Sequence, residues 1–314
     1  MVDHIVVRAP TRDDDYFAAR MTGIQFEALA CRCHPDSIRE DLRTVLAVRT
    51  MRQAVGCDRT EVAKWLVNGW STEQLLATNA RHLVADALRH SLHWAFPQAY
   101  YSVFTVTLAY FKAIGYTEST HAALIRKFGM EVSMDRYPNA IAFAATGPKP
   151  FAFSRLSRTH LEQTLDFVHS DQAMIDGQIA QFLRATREED LRDKKKSVPI
   201  RTKRGIKKKA LRVDEWRQVA TALGPTSILS LLYRKRIKAN YRDIDSFLHE
   251  GLDPGPLYEH LLRIVGAMNY VHEVFIARVM PRNFLESTLD RMPAGTAQRT
   301  RRRLRDVNSM ARET

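Results

Sequence analysis

The sequence predicts an all-α protein, and three observations predict it. Apolar residues recur at steps of three and four in several windows, most cleanly at Leu257, Leu261, Ile264, Met268, Val271 and Phe275. Residues that cap or stop helices bracket those windows. No window alternates apolar and polar residues as a half-buried strand would, and no internal repeat is visible. At 314 residues the chain suits one elaborated domain or two.

Taken in order, residues 1–35 carry an acidic triplet, Asp13–Asp15, and no clean period. Asp36 or Ser37 is placed to cap a helix that buries Ile38, Leu42 and Val45. Asp58 or Thr60 starts another with Val62, Trp65 and Leu66 inward, and Asn68-Gly69 supplies turn chemistry to end it. Thr60–Asn79 can also be written as a helix-turn-helix, although a helix pair joined by a glycine-containing turn is common in any all-α protein. Ser71 or Thr72 opens a helix with Leu76, Leu83, Ala87 and Leu88 as its stripe, and Pro97 separates it from the next element. Gln98–Gly129 then reads as a hairpin of two helices. Tyr101, Phe104, Leu108 and Phe111 form an aromatic stripe widened by Tyr100, Gly115 closes the first helix, and Ser119 caps the second. Packing alone accounts for such a stripe.

Pro138, Gly147, Pro148 and Pro150 mark a loop-rich passage. Helices are expected at Ser154–His169, with Leu161, Leu165 and Val168 inward, and at Gln172–Leu183, with Ile175, Ile179 and Phe182 inward. A basic linker comes next, interrupted by Val198-Pro199 and Gly205, and reads as mobile or as ordered only on a partner. Regular structure resumes at Pro225 with Leu229, Leu232, Tyr233, Arg236, Ile237 and Tyr241 at helical spacing, then Ile244 and Phe247. Gly251–Pro256 is a turn, and Met280-Pro281 stops the last long helix.

Charge is concentrated. The net charge is +13; Arg192–Arg212 carries +10 and Arg291–Thr314 carries +5, which leaves about −2 for the rest. Two such clusters on a near-neutral body point to nucleic acid, whose phosphates bind Lys and Arg with release of counterions. A solvated linker and a solvated tail are the plain alternative. The residues expected to grip are Lys194, Lys195, Lys196, Arg201, Lys203, Arg204, Lys207, Lys208 and Lys209 in the linker, with Arg301, Arg302 and Arg303 in the tail. No apolar run reaches a membrane span and the N-terminus lacks a secretory signal, so no membrane partner and a cytoplasmic location are expected. Three cysteines, Cys31, Cys33 and Cys57, fit a reducing compartment. Cys31-Arg32-Cys33-His34 lacks the second ligand pair of a closed zinc site, so no metal is expected. No Walker loop, Rossmann glycine fingerprint, H-E-x-x-H or G-x-S-x-G is present, and no cofactor is expected.

The order of several short motifs carries a resemblance. Ala99-Tyr100-Tyr101-Ser102-Val103-Phe104 is followed by Ser119-Thr120-His121 and Phe128. Far downstream comes Tyr233–Tyr241, containing Arg236-Ile237-Lys238-Ala239-Asn240-Tyr241, and then a last amphipathic helix. This resembles the HEPN family, whose landmarks are an A-x-Y-Y-x-x-F helix, an (S/T)-H…F helix and an R-x-x-A-(D/N)-Y turn. The resemblance covers residues 71–130 and 226–281. It implies an up-and-down helical bundle over 71–130 and 226–285, with an N-terminal helical extension (1–70), a large helical insertion (131–225) containing the basic linker (192–212), and a basic tail (286–314).

The same resemblance implies function. Family members occur in bacterial toxin–antitoxin and phage-defence systems, commonly as dimers, and active ones cleave RNA without metal through an R-x₄₋₆-H pair. Arginine stabilises charge on the phosphate, and histidine moves the proton of the attacking or leaving oxygen. This sequence departs from that pattern: Arg236 is followed five residues on by Tyr241, and Arg234 six residues on by Asn240. Arg242 and His249 satisfy the spacing just after the motif, as do Arg155 and His160 in the insertion. The candidate catalytic set is therefore Arg242, His249, Arg236, Asn240 and Tyr241. Its structural alternative has the tyrosines packing and Arg236 paired with a carboxylate or carbonyl, while His121 reads as a core or capping histidine. The implied partners are RNA or another nucleic acid, a cognate antitoxin or defence-system protein, and a second copy of the chain. A non-catalytic binding protein is the alternative reading.

Overall fold

The structure, a computed structural model, describes residues 12–54, 56–148, 152–156, 171–198, 200–201, 204–206, 208, 210–241, 252–293 and 297–313. Among these the fold is all-α apart from one small sheet. The helices are α1 (Arg12–Arg32), α2 (Pro35–Thr44), α3 (Leu46–Arg49), α4 (Arg59–His82), α5 (Ala85–Ala113), α6 (His121–Ser133), α7 (Gln172–Ser197), α8 (Val213–Leu223), α9 (Ile228–Tyr241), α10 (Pro254–Val279), α11 (Phe284–Leu289) and α12 (Gln298–Glu313). None is long and apolar enough to cross a membrane.

The core is built around α5, which packs against α4, α10 and α9. Its stripe is buried at Phe104, Leu108 and Phe111 together with Tyr100, whereas Tyr101 is only half-buried. Gly115 ends the helix at φ 86°, where the Tyr116 N–H reaches the Phe111 carbonyl at 2.8 Å and the Gly115 N–H reaches that of Lys112 at 3.0 Å. This is a Schellman closure, and it needs the left-handed residue that glycine supplies. Thr120, rather than Ser119, caps α6 by accepting from the Ala123 N–H.

Two expected breaks do not occur. Helix α4 runs unbroken through Asn68-Gly69, so the helix-turn-helix reading of Thr60–Asn79 fails. Gly69 is there because α5 crosses at that point: a Cβ would lie 2.4 Å from Val106 Cγ2 and 2.7 Å from Thr105 Oγ1. Helix α5 likewise begins at Ala85 and passes through Pro97. The lost N–H there costs about 3 kcal/mol in an isolated helix, and burial of Phe96, Ala99 and Tyr100 around it offsets that. The true separation falls at Leu83-Val84, and Ala87 is exposed.

The segment 12–32 lacked a readable period because α1 is buried on more than one side, by Met21, Ile24, Phe26 and Leu29 among others, where it meets α10 and α7. Strands were not expected, yet β1 (Ala144–Thr146) is paired antiparallel on one edge by β2 (Ala152–Ser154) and on the other by β3 (Thr226–Ser227). Strands of two or three residues are too short for alternation to register. Ser154 thus belongs to a strand; the rest of the helix expected at 154–169 falls largely outside the described residues. The linker reading is corrected too. Helix α7 continues to Ser197, carrying Lys194–Lys196 in its last turn. It is held there by a satellite cluster in which Leu191 packs with Val219 and Ala220 of α8. The basic tail is also folded: α12 buries Thr300, Leu304, Val307 and Met310.

Candidate functional site

Helices α5, α6 and α9 bring the landmark residues together. Tyr100 and Tyr101 project from α5, His121 opens α6, and Tyr233 and Arg236 lie one turn apart on α9. The Tyr100 hydroxyl and His121 Nδ1 are 2.7 Å apart. Burial, and next to it the Tyr233 hydroxyl, pushes the Tyr100 pKa far up, so this hydroxyl keeps its proton. The His121 ring lies 4.4 Å from Phe104 and stacks on Tyr233 at 5.8 Å. Arg236 donates from Nη2 to the Tyr101 hydroxyl at 2.6 Å. Its guanidinium lies 4.8 Å from the Tyr101 ring and 5.7 Å from those of Tyr100 and Tyr233. Among the described residues the partners of Arg236 are therefore a tyrosine hydroxyl and three ring faces rather than a carboxylate.

His121 is not the cap of α6, a role Thr120 takes, and it packs against the rings of Tyr100, Tyr101, Phe104 and Tyr233 without being fully buried. It is half-buried at the first position of α6, and burial followed by the Arg236 charge holds its pKa below the usual 6.5. With Nδ1 engaged by Tyr100, Nε2 is the nitrogen left to exchange a proton with a ligand. Arg236 is half-buried as well, and its Nε has no partner among the described residues. Of the other expected catalytic residues, Asn240 and Tyr241 end α9. Their side chains, Arg242, His249 and His160 all lie outside the described residues.

A second feature shares no residue with this site. A groove of about 1060 Å³ opens between α2, α4, α10 and α12, and all its lysine-or-arginine lining is arginine, eight residues in number. Gly266 and Ala267, small residues of α10, keep it open. At its floor Arg303 spans two buried carboxylates, Glu73 of α4 and Glu273 of α10. Arg299 adds a 3.2 Å contact to Glu73, and Trp70 Nε1 donates to Glu273 at 2.8 Å. Asn269 joins this network to α5 by donating to both Glu73 and the Ser102 hydroxyl.

The expected nucleic-acid residues divide accordingly. Arg303 is committed to the floor and corrects the reading of it as a free cation. Arg301 lines the groove and pairs with Asp290 at 3.2 Å, whereas Arg302 is exposed there. In the former linker Lys196 pairs with Asp193, Lys195 lies over the Trp216 ring, Lys208 pairs with Glu215, and Arg201 donates to the Gly205 carbonyl. Lys194 is half-buried and Arg204 exposed. Lys203, Lys207 and Lys209 fall outside the described residues. Sequence reasoning missed Arg39, Arg81, Arg263, Arg299 and Arg305. A signal existed for two of them, since Arg299, Arg302 and Arg305 recur every third residue on one helix face. Cys33 is fully buried, and burial pushes its thiol up to about 12, which suits a packing residue.

Compared with known proteins, the chain matches no family model, no curated protein and no solved structure.

Proposed function

We propose that this chain is an HEPN-like RNA-binding protein that cleaves RNA, in the metal-independent manner the resemblance implies, at the site formed by His121 and Arg236. The observation that carries the reading is the meeting of a half-buried histidine, its pKa lowered so that it is neutral near pH 7, with a half-buried arginine. In such a site His121, in the tautomer whose Nδ1–H donates to the Tyr100 oxygen, takes the proton of a ribose 2′-hydroxyl on Nε2 as that oxygen attacks phosphorus. Arg236 stabilises the charge on the phosphoryl oxygens, and the 5′-oxygen leaves by taking a proton from solvent water, giving a 2′,3′-cyclic phosphate and a 5′-hydroxyl. A second, non-catalytic reading, in which the site only binds, is favoured by the Arg236–Tyr101 hydrogen bond, which already occupies one end of the guanidinium. A homodimer and a cognate antitoxin or defence-system partner belong to the proposal through the resemblance.

The test is incubation of end-labelled RNA with the purified chain in EDTA. Cleavage to cyclic-phosphate ends that is lost in His121→Gln, with RNA affinity retained, supports the proposal. Intact RNA moves the protein to the second reading, and wild-type cleavage by His121→Gln removes His121 from the chemistry.

A further inference from the structure

We infer that the arginine groove between α2, α4, α10 and α12 is a binding track for the phosphate backbone of a nucleic-acid strand, separate from the His121–Arg236 site. The inference rests on how its charges are partnered. Arg299 and Arg303 are neutralised by Glu73 and Glu273, and Arg39 lies between Asp36 and Asp306. Around this compensated floor stand Arg81, Arg263, Arg302 and Arg305, all exposed and none with a carboxylate partner among the described residues. Four uncompensated cations on three different helices, facing one concavity, exceed what a solvated helix face requires.

The chemistry of the lining selects the ligand. The Lys-rich stretch at the end of α7 carries point charges on flexible stems, whereas the groove is lined by arginine and no lysine. Guanidinium presents paired donors that match phosphate oxygens two at a time. The four arginines without a carboxylate partner come from three helices rather than from one loop or helix end, which suits a ligand that repeats a single charge along its length. An acidic helix or peptide would also want apolar anchoring pockets. Here the apolar lining residues Cys33, Ile38, Ala267 and Tyr270 are themselves buried, and what is left open, Pro35 and part of Leu262, lies among arginines and forms no deep apolar pocket. The floor network has its own part: it fixes α12 against α4 and α10, so Arg302 and Arg305 sit on a rigid support rather than a loose tail.

The experiment measures fluorescence anisotropy of a labelled mixed-sequence single strand, as RNA and as DNA, across a salt series. A poly-glutamate peptide of equal charge serves as competitor. The rim variant is Arg263→Gln/Arg302→Gln/Arg305→Gln. The charge-matched control is Arg49→Gln/Arg52→Gln/Arg217→Gln, three exposed arginines outside the groove. We expect the rim variant to lose at least about tenfold in affinity at low salt and its log–log salt slope to flatten by about 2, with the control within about threefold of wild type. Similar affinity for RNA and DNA supports backbone recognition; a preference for RNA supports it also, adding contact with the 2′-hydroxyl. The inference is overturned if the wild type holds neither strand, if the control loses as much as the rim variant, or if poly-glutamate binds more tightly than both nucleic acids. It fails separately from the cleavage proposal. RNA bound but left intact would sink only the latter, and cleavage undiminished in a rim variant that binds as wild type would sink only the groove.

Discussion

Arg303 of α12 holds Glu73 of α4 through both terminal nitrogens, at 2.5 and 2.8 Å, and the same guanidinium reaches Glu273 of α10 at 2.7 Å. Both carboxylates are almost wholly removed from solvent. Burial alone would raise the Glu73 pKa, but the Arg303 and Arg299 charges and hydrogen bonds outweigh it and hold that pKa below the usual carboxylate value. The triad therefore clamps three helices, and its stability depends on completeness.

Arg303→Ala strands two buried anions, and the expected loss is about 3–5 kcal/mol of unfolding free energy. Urea denaturation followed by circular dichroism measures it. Arg302→Ala, one residue away and exposed, should fall within about 0.5 kcal/mol of wild type. Equal effects from the two would mean that Arg303 is not seated on the carboxylates.

Gly69 sets the approach of α4 to α5. Its added Cβ would meet Val106, Thr105 and the Ser102 carbonyl at 2.4, 2.7 and 3.0 Å, and the Ser102 hydroxyl donates to the Gly69 carbonyl at 2.9 Å. Gly69→Ala improves helix propensity by about 1 kcal/mol yet overpacks the crossing by about 1–3 kcal/mol or more. The net expectation is a lower melting temperature. A rise in melting temperature would show that the helices are free to separate there.

These positions explain what the sequence could and could not disclose. Stripes such as Leu257–Phe275 and Phe104–Phe111 were legible because their large apolar residues recur with the turn of the helix, although Ser102–Phe111 and Ala267–Ile276 are buried at every position. Gly69 and Pro97 were misread as breaks because local propensity argues for a break, while the packing that overrides it comes from distant residues. Arg303 was counted with the free basic tail because its partners Glu73 and Glu273 stand 230 and 30 residues away in the chain. Composition cannot tell a committed arginine from an uncommitted one. The meeting of Tyr100, His121 and Arg236 was half legible: the order of motifs put them in one bundle, but only the crossing of α5, α6 and α9 puts their side chains in contact.

His272 gives the core an acid sensitivity of definite sign. It is fully buried on α10, Nδ1–H donates to the Met268 carbonyl at 2.7 Å, and Nε2 accepts from the Tyr137 hydroxyl at 3.0 Å. Burial lowers its pKa from 6.5 to about 4, against a smaller opposing effect of the Met268 hydrogen bond. The unfolded chain therefore binds this proton below pH 6.5 while the folded chain refuses it until about pH 4. Stability falls as pH drops through that window, by about 3 kcal/mol in all. His272→Gln should be less stable at pH 7 and show a flatter decline between pH 6.5 and 4, read from unfolding curves at a series of pH values. An unchanged slope would place the titrating group elsewhere.

Tyr100 is the residue through which the proposed chemistry can be separated from packing. If His121 acts as a base it must be neutral, and its lowered pKa sets the acid limb of the rate profile below 6.5. Cleavage should accordingly rise with pH and level off before an ordinary histidine has finished titrating. Tyr100→Phe keeps the ring that packs 5.6 Å from Phe104 and 5.4 Å from Tyr233. It removes the hydroxyl that holds Nδ1, so the imidazole is free to turn. The expected result is RNA affinity within about twofold of wild type and single-turnover cleavage slower by about tenfold to a hundredfold. A structural role alone would lower affinity and rate together or leave both untouched. Either outcome, or an acid limb above the ordinary histidine value, would rule out Tyr100 as the group that positions His121.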